Sequence, residues 1–165
     1  MTIPDTYKFN SIDVAKYIAG KANERNIFIN ITKIQKLLYI AYGIYLRVYE
    51  QRLTDEHPKA WPYGPVFPKT RKELLSLNLV DIRTKDCTDE AQKDAQLNKV
   101  VDFTLNKFGI WNAGQLTEWS HREGSPWYYS SQTNGFKWGD TIPDELIYNY
   151  FLQLITLKSK EDESK

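Results

Sequence analysis

The sequence predicts a mainly α-helical single domain, a compact bundle around one central apolar helix. The chain has 165 residues, which is the usual size of one domain. Apolar residues recur every three or four positions along most of it, the spacing of helices with one buried face. From Leu37 to Tyr49, every residue except Gly43 and Arg47 is apolar or aromatic. A helix that is apolar on nearly all sides belongs at the centre of a bundle.

The first two helices follow from capping residues and apolar spacing. The first is predicted to begin near Asn10 or Ser11, a good capping residue type, and to end near Asn23. The second is the central helix, with Thr32 as its predicted cap. Its early polar residues are expected to face water; they are Lys33, Gln35 and Lys36. Between the two helices, residues 27–29 suit either a short strand or an extended connector.

The segment from Leu53 to Pro68 has a different character. It contains four prolines and Gly64, and proline removes a backbone donor and disfavours helix at the preceding residue. The segment is also rich in aromatic residues, which is not typical of a flexible linker. We expect an ordered loop or a small hairpin here. In the second case the helical fold contains one small β element near residues 53–68.

The rest of the chain is predicted to be mostly helical. A strand is one reading of Leu79–Ile82, a segment that stays ambiguous. The predicted helices run from Lys69 or Thr70 to about Leu77, from Asp89 to Phe108 with Gly109 as the stop, from Asn112 to His121, from Ser125-Pro126 onward, and from Ile142 through Ile155 with Asp140 or Thr141 as the cap. We expect the domain to span residues 1–157 and a charged, disordered tail to occupy residues 158–165.

Composition excludes several classes of protein. Lys and Arg total 22 against 21 Asp and Glu, a net charge of +1, so bulk electrostatics gives no support for nucleic-acid binding. Cys87 is the single cysteine and there are two histidines, too few for a disulfide framework or a Cys/His zinc site. No stretch is long and apolar enough to cross a membrane. The first residues lack a targeting pattern, so we expect a cytoplasmic protein without cofactor or metal.

Catalytic motifs are missing from the sequence. It contains neither a glycine-rich phosphate loop nor a Gly-x-Ser-x-Gly elbow. Ser120 and His121 are adjacent, and neighbours on a helix point in different directions. Cys87 is followed by the acidic residues Asp89 and Glu90, which do not favour a thiolate. We therefore expect a protein that is not an enzyme.

Aromatic residues make up 14% of the chain and are the candidates for recognition. Prolines stiffen the segment that carries Trp61, Tyr63 and Phe67, so it can present rings at low entropic cost. We predict that these three residues, with Lys36 and Tyr39 on the central helix, bind a protein partner. The alternative for Trp61 is a place in the core between the second and third helices, and a core position is equally open for Tyr63 and Phe67. For Tyr39 the alternative is a place in the core lining.

Nucleic-acid binding is a weaker alternative. Basic residues beside aromatic ones suit single-stranded nucleic acids, and several lie near Trp61 and Tyr63. They are Lys33, Lys36, Lys69, Arg71 and Lys72. Lysines at helix starts are commonly solvated surface, however, and the net charge gives no support. Nucleic acid is therefore not an expected partner.

Four blocks of sequence together resemble one known family, the Panacea antitoxin domain, also called the SocA-like or phage-associated antitoxin domain. The blocks are TKIQKLLY (Thr32–Tyr39), AWPYGPVFP (Ala60–Pro68), LTEWSH (Leu116–His121) followed by Ser125-Pro126-Trp127, and IPDELI (Ile142–Ile147) followed by Tyr150-Phe151. The resemblance covers about residues 10–155. It departs from the family pattern at Ser120, where threonine is usual, and at Phe67, where an aliphatic residue is common.

The resemblance implies a helical antitoxin that neutralises a toxin encoded nearby by direct protein contact. The resemblance implies no catalytic residue, no cofactor and no association with a membrane. Two other functions stay open at this point: an adaptor that delivers a bound partner to a protease, and an autoregulatory nucleic-acid-binding protein. Homo-oligomers are also compatible with the sequence.

Overall fold

A computed structural model of the chain places one helix at the centre and packs the other elements around it. The structure describes the backbone of residues 3–163 and the side chains of residues 3–155. The helices are α1 (Ser11–Glu24), α2 (Ile31–Tyr49), α3 (Pro68–Leu74), α4 (Asp89–Lys93), α5 (Ala95–Phe108), α6 (Ala113–His121), α7 (Pro126–Ser131) and α8 (Asp144–Glu163). The predicted mainly helical class is confirmed. The charged tail predicted over residues 158–165 lies outside the residues whose side chains are described and stays a prediction.

Helix α2 is the predicted central helix. It packs against α1, α5, α6 and α8, and every residue from Lys33 to Leu46 is buried. Gly43 allows α8 to approach closely, because a Cβ at this position would overlap the ring of Phe151. The predicted cap, Thr32, is wrong by two residues. Asn30 occupies the cap position, and its side-chain oxygen accepts a hydrogen bond from the Lys33 backbone N–H at 2.8 Å.

The early polar residues of α2 are buried, so the prediction that they face water is wrong. The physical reason is that backbone groups of other segments pack against them and form hydrogen bonds with them. Lys33 Nζ donates to the Gly109 carbonyl at 2.7 Å, at the end of α5. Gln35 and Lys36 lie under residues 63–67 and form hydrogen bonds with the backbone of that segment.

Two small sheets complete the fold over the described residues. Strands β1 (Tyr7–Phe9) and β2 (Arg52–Thr54) pair in parallel. Strands β3 (Lys59–Trp61) and β4 (Gly64–Val66) pair antiparallel, with Trp61 opposite Gly64. The β element expected near residues 53–68 is therefore present, and we call β3, its turn and β4 the hairpin. Strand β1 was not predicted, because three residues are too few to show a period.

Two carboxylates anchor the loop that leads into the hairpin. Asp55 Oδ1 accepts a hydrogen bond from the backbone N–H of Ser11 at 2.8 Å, at the start of α1. Glu56 accepts from the backbone N–H groups of Lys69 (2.6 Å) and Thr70 (3.0 Å) in the first turn of α3. Carboxylates are stabilising at helix N-termini, where N–H groups lack partners within the helix. Ser11 is thus the first residue of α1, and its predicted role as the cap is wrong.

Three other predicted elements differ in detail. The helix expected over Asp89–Phe108 is broken at Asp94, whose extended backbone ends α4 and whose side chain caps α5 by accepting from the Leu97 N–H at 2.8 Å. The segment Leu79–Asp81 forms a 3₁₀ turn, not a strand. Helix α8 begins at Asp144, two residues later than predicted, because the residues before it pair with the hairpin through a bridge between Lys59 and Thr141.

Candidate partner-binding site

The hairpin carries two of the predicted partner-binding residues to the surface. Tyr63 lies in the turn and its side chain is 79% exposed, while Trp61 at the end of β3 is 37% exposed. The turn is tight because Gly64 has a φ of +114°, a conformation that L-residues with a side chain rarely adopt. These two rings are the most prominent aromatic feature of the hairpin.

Helix α2 holds the hairpin from below. Lys36 Nζ donates to the carbonyls of Pro65 at 2.8 Å and Tyr63 at 3.3 Å. The Lys36 residue is only 5% exposed, and burial lowers the pKa of its ammonium group to about 8. Gln35 Oε1 accepts from the Phe67 backbone N–H at 2.7 Å. These bonds satisfy backbone groups of the hairpin and of Phe67, the residue directly after it.

Helices α6 and α7 hold the hairpin from the side. Trp127 Nε1 donates to the Trp61 carbonyl at 2.7 Å, and the Trp127 ring stacks on Trp138 with centroids 5.9 Å apart. A Cβ added at Gly64 would lie 2.8 Å from Ser120 Oγ and 3.0 Å from Lys36 Nζ. The hairpin is therefore fixed tightly against α2, α6 and α7.

A cavity of about 370 Å³ opens beside the hairpin, and we call it the hairpin pocket. It lies between α2, the hairpin, α3 and α6. Its walls are Ile31, Thr32, Gln35, Lys36, Trp61, Pro62, Tyr63, Gly64, Val66, Arg71 and Thr117. The Arg71 guanidinium lies 5.9 Å from the centre of the Trp61 ring. The described residues that line this pocket include two cationic side chains and no acidic one.

The predicted site residues fall into two groups. Trp61, Tyr63 and Lys36 line the hairpin pocket, whereas Phe67 and Tyr39 do not. Phe67 and Tyr39 are both fully buried. Each of these two rings fills the core around α2, the alternative position for both, and neither is exposed to a partner in this structure. Lys36 both lines the hairpin pocket and bonds the backbone of the hairpin.

The core positions of Phe67 and Tyr39 are defined by other rings. Phe67 packs edge-on against Tyr42 at 6.0 Å, and Tyr39 packs edge-on against Phe151 at 5.8 Å. Burial raises the pKa of the Tyr39 hydroxyl. Among the described residues that hydroxyl has no hydrogen-bond partner.

Sequence reasoning missed three residues of the site. The sequence predicts that Gln35 faces water, it includes Arg71 only in a basic patch, and it gives no signal that Trp127 belongs to a binding site. One signal for Gln35 and Lys36 is present in the sequence: they directly precede the apolar run Leu37–Tyr49 within the same helix. The link from Trp127 to the Trp61 carbonyl joins residues 66 positions apart, and no local pattern reports such a contact.

A second buried polar cluster lies at the start of α8. Asp144 accepts hydrogen bonds from Arg52 Nε at 2.6 Å and from the Tyr42 hydroxyl at 2.5 Å. His57 Nδ1 lies 3.8 Å from the same carboxylate, and burial lowers the pKa of His57. The cluster ties α2, β2 and α8 together. Over the described part of the chain, no group of three or more His, Cys, Asp or Glu side chains is arranged to bind a metal ion.

A helical domain that presents an aromatic hairpin on a rigid base suits binding of another protein more than chemistry at a substrate. None of the helices within the described residues is long and apolar enough to span a membrane.

Comparison with known proteins gives the family. The chain belongs to the SocA-like antitoxins, whose Panacea domain matches residues 34–128, from α2 through the hairpin to α7. It is similar to Antitoxin SocA of Caulobacter vibrioides (strain NA1000 / CB15N), with 28% identity over 145 residues that cover 75% of this chain and 73% of that protein. No solved structure matches the chain. The family supports an antitoxin role, and it favours a regulatory role over a catalytic one.

Proposed function

We propose that the chain neutralises a toxin encoded next to it by binding that toxin directly, and that the exposed rings of the hairpin make the central contact. The observation that carries this proposal is Tyr63. Its ring is 79% exposed, yet the backbone beneath it is held by Lys36 and Gly64. Aromatic residues are favoured anchors of protein interfaces.

Rigidity is the second support. A flexible loop would lose conformational freedom on binding, at a cost of about 0.5–1.5 kcal/mol for each side chain that becomes ordered. The hairpin has lost most of that freedom already, because Lys36 and Trp127 bond its backbone in the free protein and Gln35 bonds the N–H of Phe67, the residue directly after it. Neutralisation then works by occlusion: the antitoxin covers a surface of the toxin and holds it inactive.

The test is co-expression with the adjacent open reading frame in a host that the neighbour's product inhibits. We expect the chain to restore growth and the two proteins to purify together at a fixed ratio. A toxic neighbour that the chain neither rescues nor binds contradicts the proposal.

The same strains test neutralisation by degradation. Under the proposal the toxin's half-life stays the same or lengthens when the chain is present, because a stable complex protects it. Rescue with no stable complex and with a shortened half-life would show delivery to a protease, and it would refute neutralisation by occlusion.

A further inference from the structure

We propose that the hairpin pocket receives an acidic side chain of the bound toxin, with Lys36 and Arg71 as its cationic partners. This inference deepens the proposed function and rests on it. Three features of the pocket carry it: an ammonium group with no counter-charge, an amide donor with no acceptor, and a guanidinium at the rim.

The ammonium group of Lys36 lacks an anionic partner. Its two acceptors are the carbonyls of Tyr63 and Pro65, which are neutral. Among the described residues no carboxylate lies within ion-pair distance of Lys36. A buried charge without a counter-charge is costly, and burial lowers the pKa of Lys36 to about 8. A carboxylate that approached it would reverse this shift.

Gln35 adds an unused donor beside it. Its side-chain oxygen accepts from the Phe67 N–H, which fixes which end of the amide carries the oxygen. The residue is 97% buried, as its relative exposure of 3% shows, and it lines the pocket. Its Nε2 has no hydrogen-bond partner among the described residues. Buried polar groups in proteins are nearly always bonded, so this donor points to an acceptor that the free chain does not supply.

Arg71 completes the charge pattern at the mouth of the pocket. Its guanidinium lies over the Trp61 ring at 5.9 Å from the centroid, and within the described part of the chain it pairs with no carboxylate. Guanidinium binds carboxylates through two parallel hydrogen bonds. The pocket therefore has donors on its wall and rim and no acid to neutralise them.

The surroundings favour a protein side chain over a free anion. The pocket opens beside Trp61 and Tyr63, so an acidic residue that enters it brings neighbouring residues of the same segment against these rings. A small free anion would leave both rings uncovered. A charged group beside buried aromatic anchors is a typical composition of the hot spot of a protein interface.

The experiment measures the affinity of the chain for the protein encoded by the adjacent gene, made by cell-free synthesis so that toxicity does not limit the yield. Arg71→Gln and Lys36→Met each remove one cation of the pocket. Their matched controls are Lys72→Gln, the next exposed cation on α3, and Lys33→Met, a buried α2 lysine that bonds a carbonyl and does not line the pocket. Each surface Asp and Glu of the partner is then changed to its amide.

We expect both pocket variants to bind about tenfold to a hundredfold more weakly, since a charge-assisted hydrogen bond contributes on this scale. The control variants should bind within about threefold of the wild type. One acidic residue of the partner should show a similar loss, and that loss should vanish when Arg71→Gln is already present. Arg71→Gln keeps the test decisive, because Arg71 bonds no hairpin backbone.

Failure of the inference differs from failure of the proposed function. If wild-type chain binds the neighbour and neither pocket variant weakens it, the inference is wrong and the proposed function stands. The inference is also wrong if each Asp or Glu substitution in the partner lowers the affinity by the same factor for the wild-type chain and for Arg71→Gln. If the wild-type chain binds no neighbouring protein, both are wrong.

Discussion

Gly64→Ala tests whether the hairpin is fixed as tightly as the geometry indicates. Gly64 has a φ of +114°, and a non-glycine residue in such a region costs about 1–3 kcal/mol. An added Cβ would also lie 2.8 Å from Ser120 Oγ and 3.0 Å from Lys36 Nζ. One of these groups must move, and moving Lys36 breaks charge-assisted bonds worth about 1.5–3 kcal/mol. We expect a total loss of roughly 2.5–6 kcal/mol.

A second glycine separates the two contributions. Gly139 has a φ of +98°, but a Cβ there would meet no atom within 4 Å. Gly139→Ala should therefore lose only the backbone contribution, about 1–3 kcal/mol. Urea unfolding followed by circular dichroism gives both free energies of unfolding. Equal losses in the two variants would refute the reasoning, because they would show that Ser120 and Lys36 do not confine the hairpin.

The remaining stability predictions concern α2 and its neighbours. Gly43→Ala should lose about 1–3 kcal/mol despite the better helix propensity of alanine, because its Cβ would overlap the Phe151 ring; thermal unfolding measures the loss. Asp144→Asn should lose about 3 kcal/mol in urea unfolding, since it removes the counter-charge of partly buried Arg52. Lys36 has a pKa of about 8 in the folded protein against 10.5 as its ordinary value, so between these pH values the unfolded chain binds more protons and stability rises with pH. The free energy of unfolding of the wild type, relative to Lys36→Met, should therefore increase by roughly 3 kcal/mol from pH 7 to pH 11.

Each of these predictions has a clear opposite result. Gly43→Ala in a Phe151→Leu background should be less damaging than in the wild type, and strict additivity would mean that the two residues do not meet. An Asp144→Asn loss below about 1 kcal/mol, the scale of an exposed pair, would show that Asp144 is not the buried partner of Arg52. If the free energy of unfolding changes with pH in the same way for the wild type and Lys36→Met, Lys36 is not buried in the charged form.

The sequence predicts the helical class because that signal is local and repeated. The run of apolar residues from Leu37 to Tyr49 can be satisfied only by burial on all sides, and the structure puts this helix at the centre. The hairpin is also predictable from its prolines and Gly64. The break at Asp94 is not, because Asp94 is compatible with a helix start as well as with a helix interior, and only packing selects the first.

The site is less predictable than the fold for a different reason. Lys36 and Gln35 have the chemistry of surface residues. Their burial depends on a carbonyl and a backbone N–H that lie about 30 positions later in the chain. Phe67 and Tyr63 belong to the same motif and have similar side chains, yet one is in the core and the other faces solvent. Which of the two rings is buried depends on which side of this segment packs against α2. That contact is long-range in sequence, so composition and spacing do not report it.

The most direct test of the account is the affinity of Tyr63→Ala for the toxin. Tyr7→Ala is the matched control, because Tyr7 is an exposed tyrosine on β1, outside the hairpin. We predict that Tyr63→Ala binds about thirtyfold more weakly, as expected for an anchor worth about 2 kcal/mol, with a free energy of unfolding within about 0.5 kcal/mol of the wild type. Tyr7→Ala should bind like the wild type. Unchanged affinity for Tyr63→Ala in a chain that binds its toxin would contradict the claim that the hairpin makes the central contact.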